Sequence, residues 1–74
     1  MGRIRQMKAD EVEKILKRYG FVRVSQKGSH RKWKNVERRL QAIVPYHKGR
    51  TVPSGTLRSI MTKAKIPADE WQSN

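Results

Sequence analysis

Phe21-Val22-Arg23-Val24-Ser25-Gln26-Lys27-Gly28-Ser29-His30-Arg31-Lys32-Trp33-Lys34 decides how this chain folds. Phe21 to Gln26 is rich in β-branched and aromatic residues and reads as a strand. Lys27-Gly28 is the turn signal, because glycine takes the positive φ that a tight hairpin needs. Ser29 to Lys34 returns as a second strand. Asn35-Val36-Glu37-Arg38 is then a polar loop, and Arg39 to Val44 a third strand, ended by Pro45, which has no N–H for a ladder. Two short connections in a row make an antiparallel meander.

A helix is expected on each side of this meander. Val12, Ile15, Leu16 and Tyr19 fall at helical spacing, so Asp10 to Tyr19 presents one apolar face. Asp10, Glu11 and Glu13 stand near its positive end, Lys17 and Arg18 near its negative end, and Glu13 and Lys17 form a favourable i, i+4 pair. Gly20 follows as a left-handed stop. A second helix opens at Pro53 or Ser54, with Ser54 as its N-cap or Thr51 beginning the turn, and runs to about Lys65. Its stripe is Leu57, Ile60, Met61 and Ala64; Pro67 stops it, and Ala68 to Trp71 adds a short turn whose tryptophan covers the core edge. The order is α-β-β-β-α, an α+β fold with a three-stranded antiparallel sheet and two helices on one face, the other face open to solvent. Residues 1–7 read as a flexible N-terminal arm and 8–74 as a single domain.

Charge narrows the partner. Eighteen Lys and Arg against six Asp and Glu give +12 over 74 residues. The excess is central: Arg23, Lys27, Arg31, Lys32, Lys34, Arg38, Arg39, Lys48 and Arg50 face only Glu37 between them. Such a surface favours a polyanion through phosphate contacts and counterion release; a solvated, solubilising face is the plainer reading. A membrane partner is not expected, since the basic stretch is no amphipathic helix and no apolar run approaches the roughly 20 residues of a span. With no cysteine, no signal-like h-region and no disulfide, the expected compartment is the cytoplasm.

His30 is the residue best suited to chemistry. Histidine has an unperturbed pKa of about 6.5 and both accepts and donates protons near neutrality. If Trp33 points into the core, strand alternation puts His30, Lys32 and Lys34 together on the opposite face. A turn histidine without a role is the competing reading. Ser29 either bonds the turn backbone or donates to a phosphate. His47, in Pro45-Tyr46-His47-Lys48-Gly49-Arg50, is an acid–base partner for His30, a phosphate contact or an ordinary loop residue. Ser54-Gly55-Thr56, followed by Arg58, sits at a helix start suited to a phosphate or simply to capping. The two histidines lie 17 positions apart with no clustered acids, so neither a metal site nor a cofactor is expected, and no carboxylate near either histidine suggests a hydrolytic triad.

Gly28-Ser29-His30, Pro45-Tyr46-His47 and Gly55-Thr56-Leu57-Arg58-Ser59-Ile60, in that order after a helix ending Gly20-Phe21, resemble the HicA toxin family, also called YcfA-like, over roughly residues 8 to 71. The resemblance implies a double-stranded-RNA-binding-domain-like fold. It also implies a toxin of a type II toxin–antitoxin system, an mRNA interferase neutralised by a HicB-like antitoxin. His30 corresponds to the family's catalytic histidine and His47 to its Pro-x-His position. The expected activity is metal-independent RNA cleavage, with Lys27, Ser29, Arg31, Lys32, Lys34, His47, Lys48 and Arg58 as RNA contacts. The free protein is expected to be a monomer that joins a larger assembly with its antitoxin. The alternative is a non-catalytic double-stranded RNA-binding module. Lys32 stands where the family commonly has an apolar residue.

Overall fold

The computed structural model describes residues 5–72. The elements are α1 (Ala9–Arg18), β1 (Val22–Lys27), β2 (His30–Asn35), β3 (Leu40–Pro45), α2 (Ser54–Ala64) and α3 (Ala68–Gln72). The sheet order is β1-β2-β3, both pairs antiparallel. This is the expected α-β-β-β-α, double-stranded-RNA-binding-domain-like arrangement, with one short helix added.

Boundaries shift by about one residue for local reasons. The hairpin loop is Gly28-Ser29, and of the two only Gly28 has positive φ (+59°), the pattern of a type II′ turn. Asn35 is not loop but the buried last residue of β2. Its amide donates to the Tyr19 carbonyl at 2.9 Å, and its side-chain oxygen accepts the Arg38 N–H at 3.0 Å, so it ties the end of α1 to the β2–β3 turn. Gly20 has φ +86°, and a Cβ there would meet the Asn35 amide at 3.2 Å, so the helix stop and the asparagine lock fit each other. Arg39, expected as strand, takes φ +58° in the turn before β3. At α2 the expected cap, Ser54, is the first helical residue; Pro53 holds the cap position and no side chain caps the helix.

Alternation sorts the sheet into two faces. Trp33, Ala42 and Val44 point to the helix layer, where Val12, Leu16, Leu57, Ile60 and Ala64 meet them. Two side chains lie deeper in the core than expected. Trp71 of α3 is 0% exposed and its indole donates to the Ile66 carbonyl at 3.3 Å, so it fills the core and does not merely cover its edge. Met7, assigned to the arm, is also 0% exposed. Its carbonyl accepts the Val52 N–H at 2.7 Å, and Lys8 bridges Thr51, which pins this segment to the loop before α2. Residues 1–4 of the expected arm lie outside the described residues.

The start of α1 is held by Glu11, whose carboxylate accepts the Lys8 N–H at 2.9 Å. That bond, aided by the Arg5 guanidinium, holds the Glu11 carboxyl below its ordinary range. A depressed folded-state pKa contributes stability above the unfolded value, 4.5, and that contribution is lost as pH falls through the folded value. Glu11→Ala is therefore expected to destabilise the domain by about 0.5–1 kcal/mol at pH 7. The difference from the parent should shrink on acidification below the ordinary glutamate range. Thermal melts of both proteins across that range check this.

Candidate nucleic-acid interface

The register of the meander builds the open face rung by rung. Lys27 pairs with His30 and His30 with Pro45; Ser25 pairs with Lys32 and Lys32 with Ile43; Val22 pairs with Lys34 and Lys34 with Gln41. A bulge between Arg23 and Ser25 lets β1 keep Val22 and Ser25 on this face although they are three residues apart. The middle column, running along β2, is His30, Lys32 and Lys34, as alternation from a buried Trp33 requires. Ser25, Lys27, His30, Lys32 and Ile43 enclose a shallow hollow of about 270 Å³. His30 is exposed, so a phosphate has free access to its ring.

The other basic candidates divide. Arg31, expected beside Lys27 and Lys32, points the opposite way. Its guanidinium bonds the Glu13 carboxylate at 2.8 Å and stacks on the Tyr46 ring with 3.8 Å to the centroid. Strand alternation causes the reversal: Arg31 shares the face of Trp33. Glu13, buried on α1, also accepts the Trp33 indole N–H at 2.9 Å. The Tyr46 phenol bonds Asp10, and this bond, with burial, raises its pKa above the ordinary tyrosine value. Asp10, Tyr46, Arg31, Glu13 and Trp33 thus form one chain of contacts between α1 and the sheet. The helix register carried a signal for Glu13, which lies three residues before Leu16 and four after Ala9, inside the apolar stripe. A larger hollow, about 540 Å³, opens beside Glu13, Arg31 and Trp33, but its carboxylate and guanidinium are already committed to each other.

The Tyr46 N–H donates to the Ser29 carbonyl at 2.6 Å, which brings the exit of β3 beside the hairpin turn. His47 and Lys48 follow in an exposed loop at the same end of the sheet as His30. The His47 carbonyl accepts the Arg50 N–H at 3.0 Å. Ser29 is half-buried in the turn and its backbone carbonyl is used by Tyr46. Arg58 is exposed on α2, in the helix layer, and does not join the open face. Among the described residues no group of three or more His, Cys, Asp or Glu side chains comes together, and no helix is long and apolar enough to cross a membrane.

Residues 9–66 match the family model described as HicA toxin of bacterial toxin-antitoxin. No curated protein matches the chain.

Proposed function

The chain belongs to the HicA toxin family, and on that premise we propose that it is a metal-independent endoribonuclease, an mRNA interferase held in check by a HicB-like antitoxin. The observation that carries the reading is an exposed imidazole, His30, set directly opposite Lys27 and one rung from Lys32 on the uncovered face of the sheet. In the proposed reaction the ribose 2′-oxygen attacks the neighbouring phosphorus. The bond from phosphorus to the 5′-oxygen breaks, leaving a 2′,3′-cyclic phosphate and a free 5′-hydroxyl. His30 takes the 2′-hydroxyl proton or supplies one to the leaving 5′-oxygen. Lys27, directly opposite His30, neutralises the charge that gathers on the phosphoryl oxygens. DNA lacks the internal nucleophile and should resist.

The test is cleavage of RNA by the purified chain in excess EDTA, beside a DNA strand of the same sequence. RNA cleavage with DNA left intact is expected. Loss of cleavage on metal removal, restored by adding a divalent ion, would overturn the metal-independent mechanism. RNA bound as a duplex but never cut would favour the non-catalytic binding module. In cells, expression of the chain alone should arrest growth, and co-expression of the neighbouring gene should relieve the arrest. An acidic antitoxin domain over the basic sheet face would both block substrate and neutralise charge.

A further inference from the structure

The open face also bears on which feature of an RNA strand is recognised, an inference that rests on the ribonuclease reading above. The chain has five aromatic residues: two Trp, two Tyr and one Phe. Trp33, Trp71 and Phe21 are buried, Tyr19 packs against the core, and Tyr46 is held between Asp10 and Arg31 on the helix side. No Trp, Tyr or Phe ring is left on the open face to stack on a base, the ring that β2 does present there being the His30 imidazole at the reacting phosphate. Stacking on aromatic rings is the usual means by which a sheet reads single-stranded RNA. What the face offers is a line of cationic side chains. Lys32 and Lys34 follow His30 at every second residue of β2, a step of roughly 6.5–7 Å, close to one nucleotide of extended backbone. Aliphatic side chains flank the line: Ile43 beside Lys32 and Val22 beside Lys34, 47% and 55% exposed. They give sugars and bases an apolar rest without hydrogen-bonding preference. At the His30 end the sheet stops at the Gly28-Ser29 turn.

We propose that β2 is a one-sided phosphate track: a single RNA strand lies along it with the cleaved phosphate at His30 and the next two phosphates, on one side only, at Lys32 and Lys34. Recognition is through the backbone, so cleavage is tolerant of base identity. Charge complementarity selects RNA as the occupant, since the track carries two lysines and no carboxylate.

The experiment uses uniform RNA strands of each base in turn, together with Lys32→Ala, Lys34→Ala and, as a distant control on α2, Lys63→Ala. The four homopolymers should be cut with kcat/KM values within about tenfold of one another. Lys32→Ala and Lys34→Ala should each raise KM about 5–10-fold, with kcat within about twofold for Lys34→Ala, and each should reduce the slope of log affinity against log salt by about 0.7. Lys63→Ala should do neither. Neutral methylphosphonate linkages one or two steps from the cleaved bond should weaken binding on one side only, and Lys34→Ala should be indifferent to the second. A strong preference for one base, equal sensitivity on both sides, or unchanged salt slopes would overturn the track. Lysine variants that lose affinity only for the antitoxin would do the same, assigning the face to protein. RNA that is bound along the track with these salt slopes but never cut would overturn the nuclease reading and leave the track standing.

Discussion

His30→Ala is expected to lower RNA cleavage about 10²–10⁴-fold, the usual contribution of a positioned general acid or base, while affinity for uncut RNA changes by no more than about threefold. The separation follows from where the side chain stands. His30 is exposed at the first residue of β2 and contributes nothing to the buried cluster, so its removal leaves the sheet and the lysines of its face in place. A 2′-O-methyl RNA, which lacks the nucleophile, gives the affinity; a cleavable strand of the same sequence gives the rate. A variant that cleaves at the parent rate would remove His30 from the mechanism. One that loses both activities together would make the histidine a binding group. In cells the same substitution should abolish growth arrest without lowering the amount of folded protein.

The second large effect concerns stability. Glu13→Ala is expected to destabilise the domain by about 3–5 kcal/mol, the range found when one partner of a buried ion pair is removed. Glu13 and Arg31 side chains are 9% and 19% exposed, so neither group regains full hydration in the folded state. Removing the carboxylate strands the Arg31 guanidinium and the Trp33 indole N–H together. Against a total of about 5–15 kcal/mol for small domains, that loss consumes much of the margin. Urea unfolding followed by tryptophan fluorescence measures it. The double substitution Glu13→Leu with Arg31→Met should recover the part of the loss that comes from the stranded guanidinium, because apolar groups of similar size commonly replace a buried pair at little cost. It should leave about 1–3 kcal/mol for the unpaired Trp33 indole N–H. A loss below about 1 kcal/mol for Glu13→Ala would mean that the contact does not hold α1 to the sheet.

The meander was legible in the sequence because its punctuation is strong. Gly20 and Gly28 both take the positive φ their positions suggested, and a buried Trp33 sorts β2 into two faces by alternation alone. The column His30, Lys32 and Lys34 follows from the same rule. Arg31 shows where composition misleads: a run of basic residues on a strand is split between faces, and only three-dimensional packing reveals that one member has a buried carboxylate for a partner. Glu13 was read by its charge and its spacing to Lys17, and its place in the apolar stripe outweighs both. Met7 and Trp71 were legible only in part, the methionine being expected in the arm and the tryptophan at the core edge, whereas both are fully enclosed. Each is an isolated apolar residue in a polar stretch, and nothing periodic marks it for the interior.

Those two side chains carry a last consequence. The stretch that matches the family ends at residue 66 and begins at residue 9, yet a fully enclosed methionine lies before it and a fully enclosed tryptophan after it. The borders of kinship and the borders of the packed interior do not coincide in this molecule. Trimming the protein to its shared stretch would take a plug from each end of the interior, and the remnant would keep every group proposed to touch RNA while losing the means to hold them still.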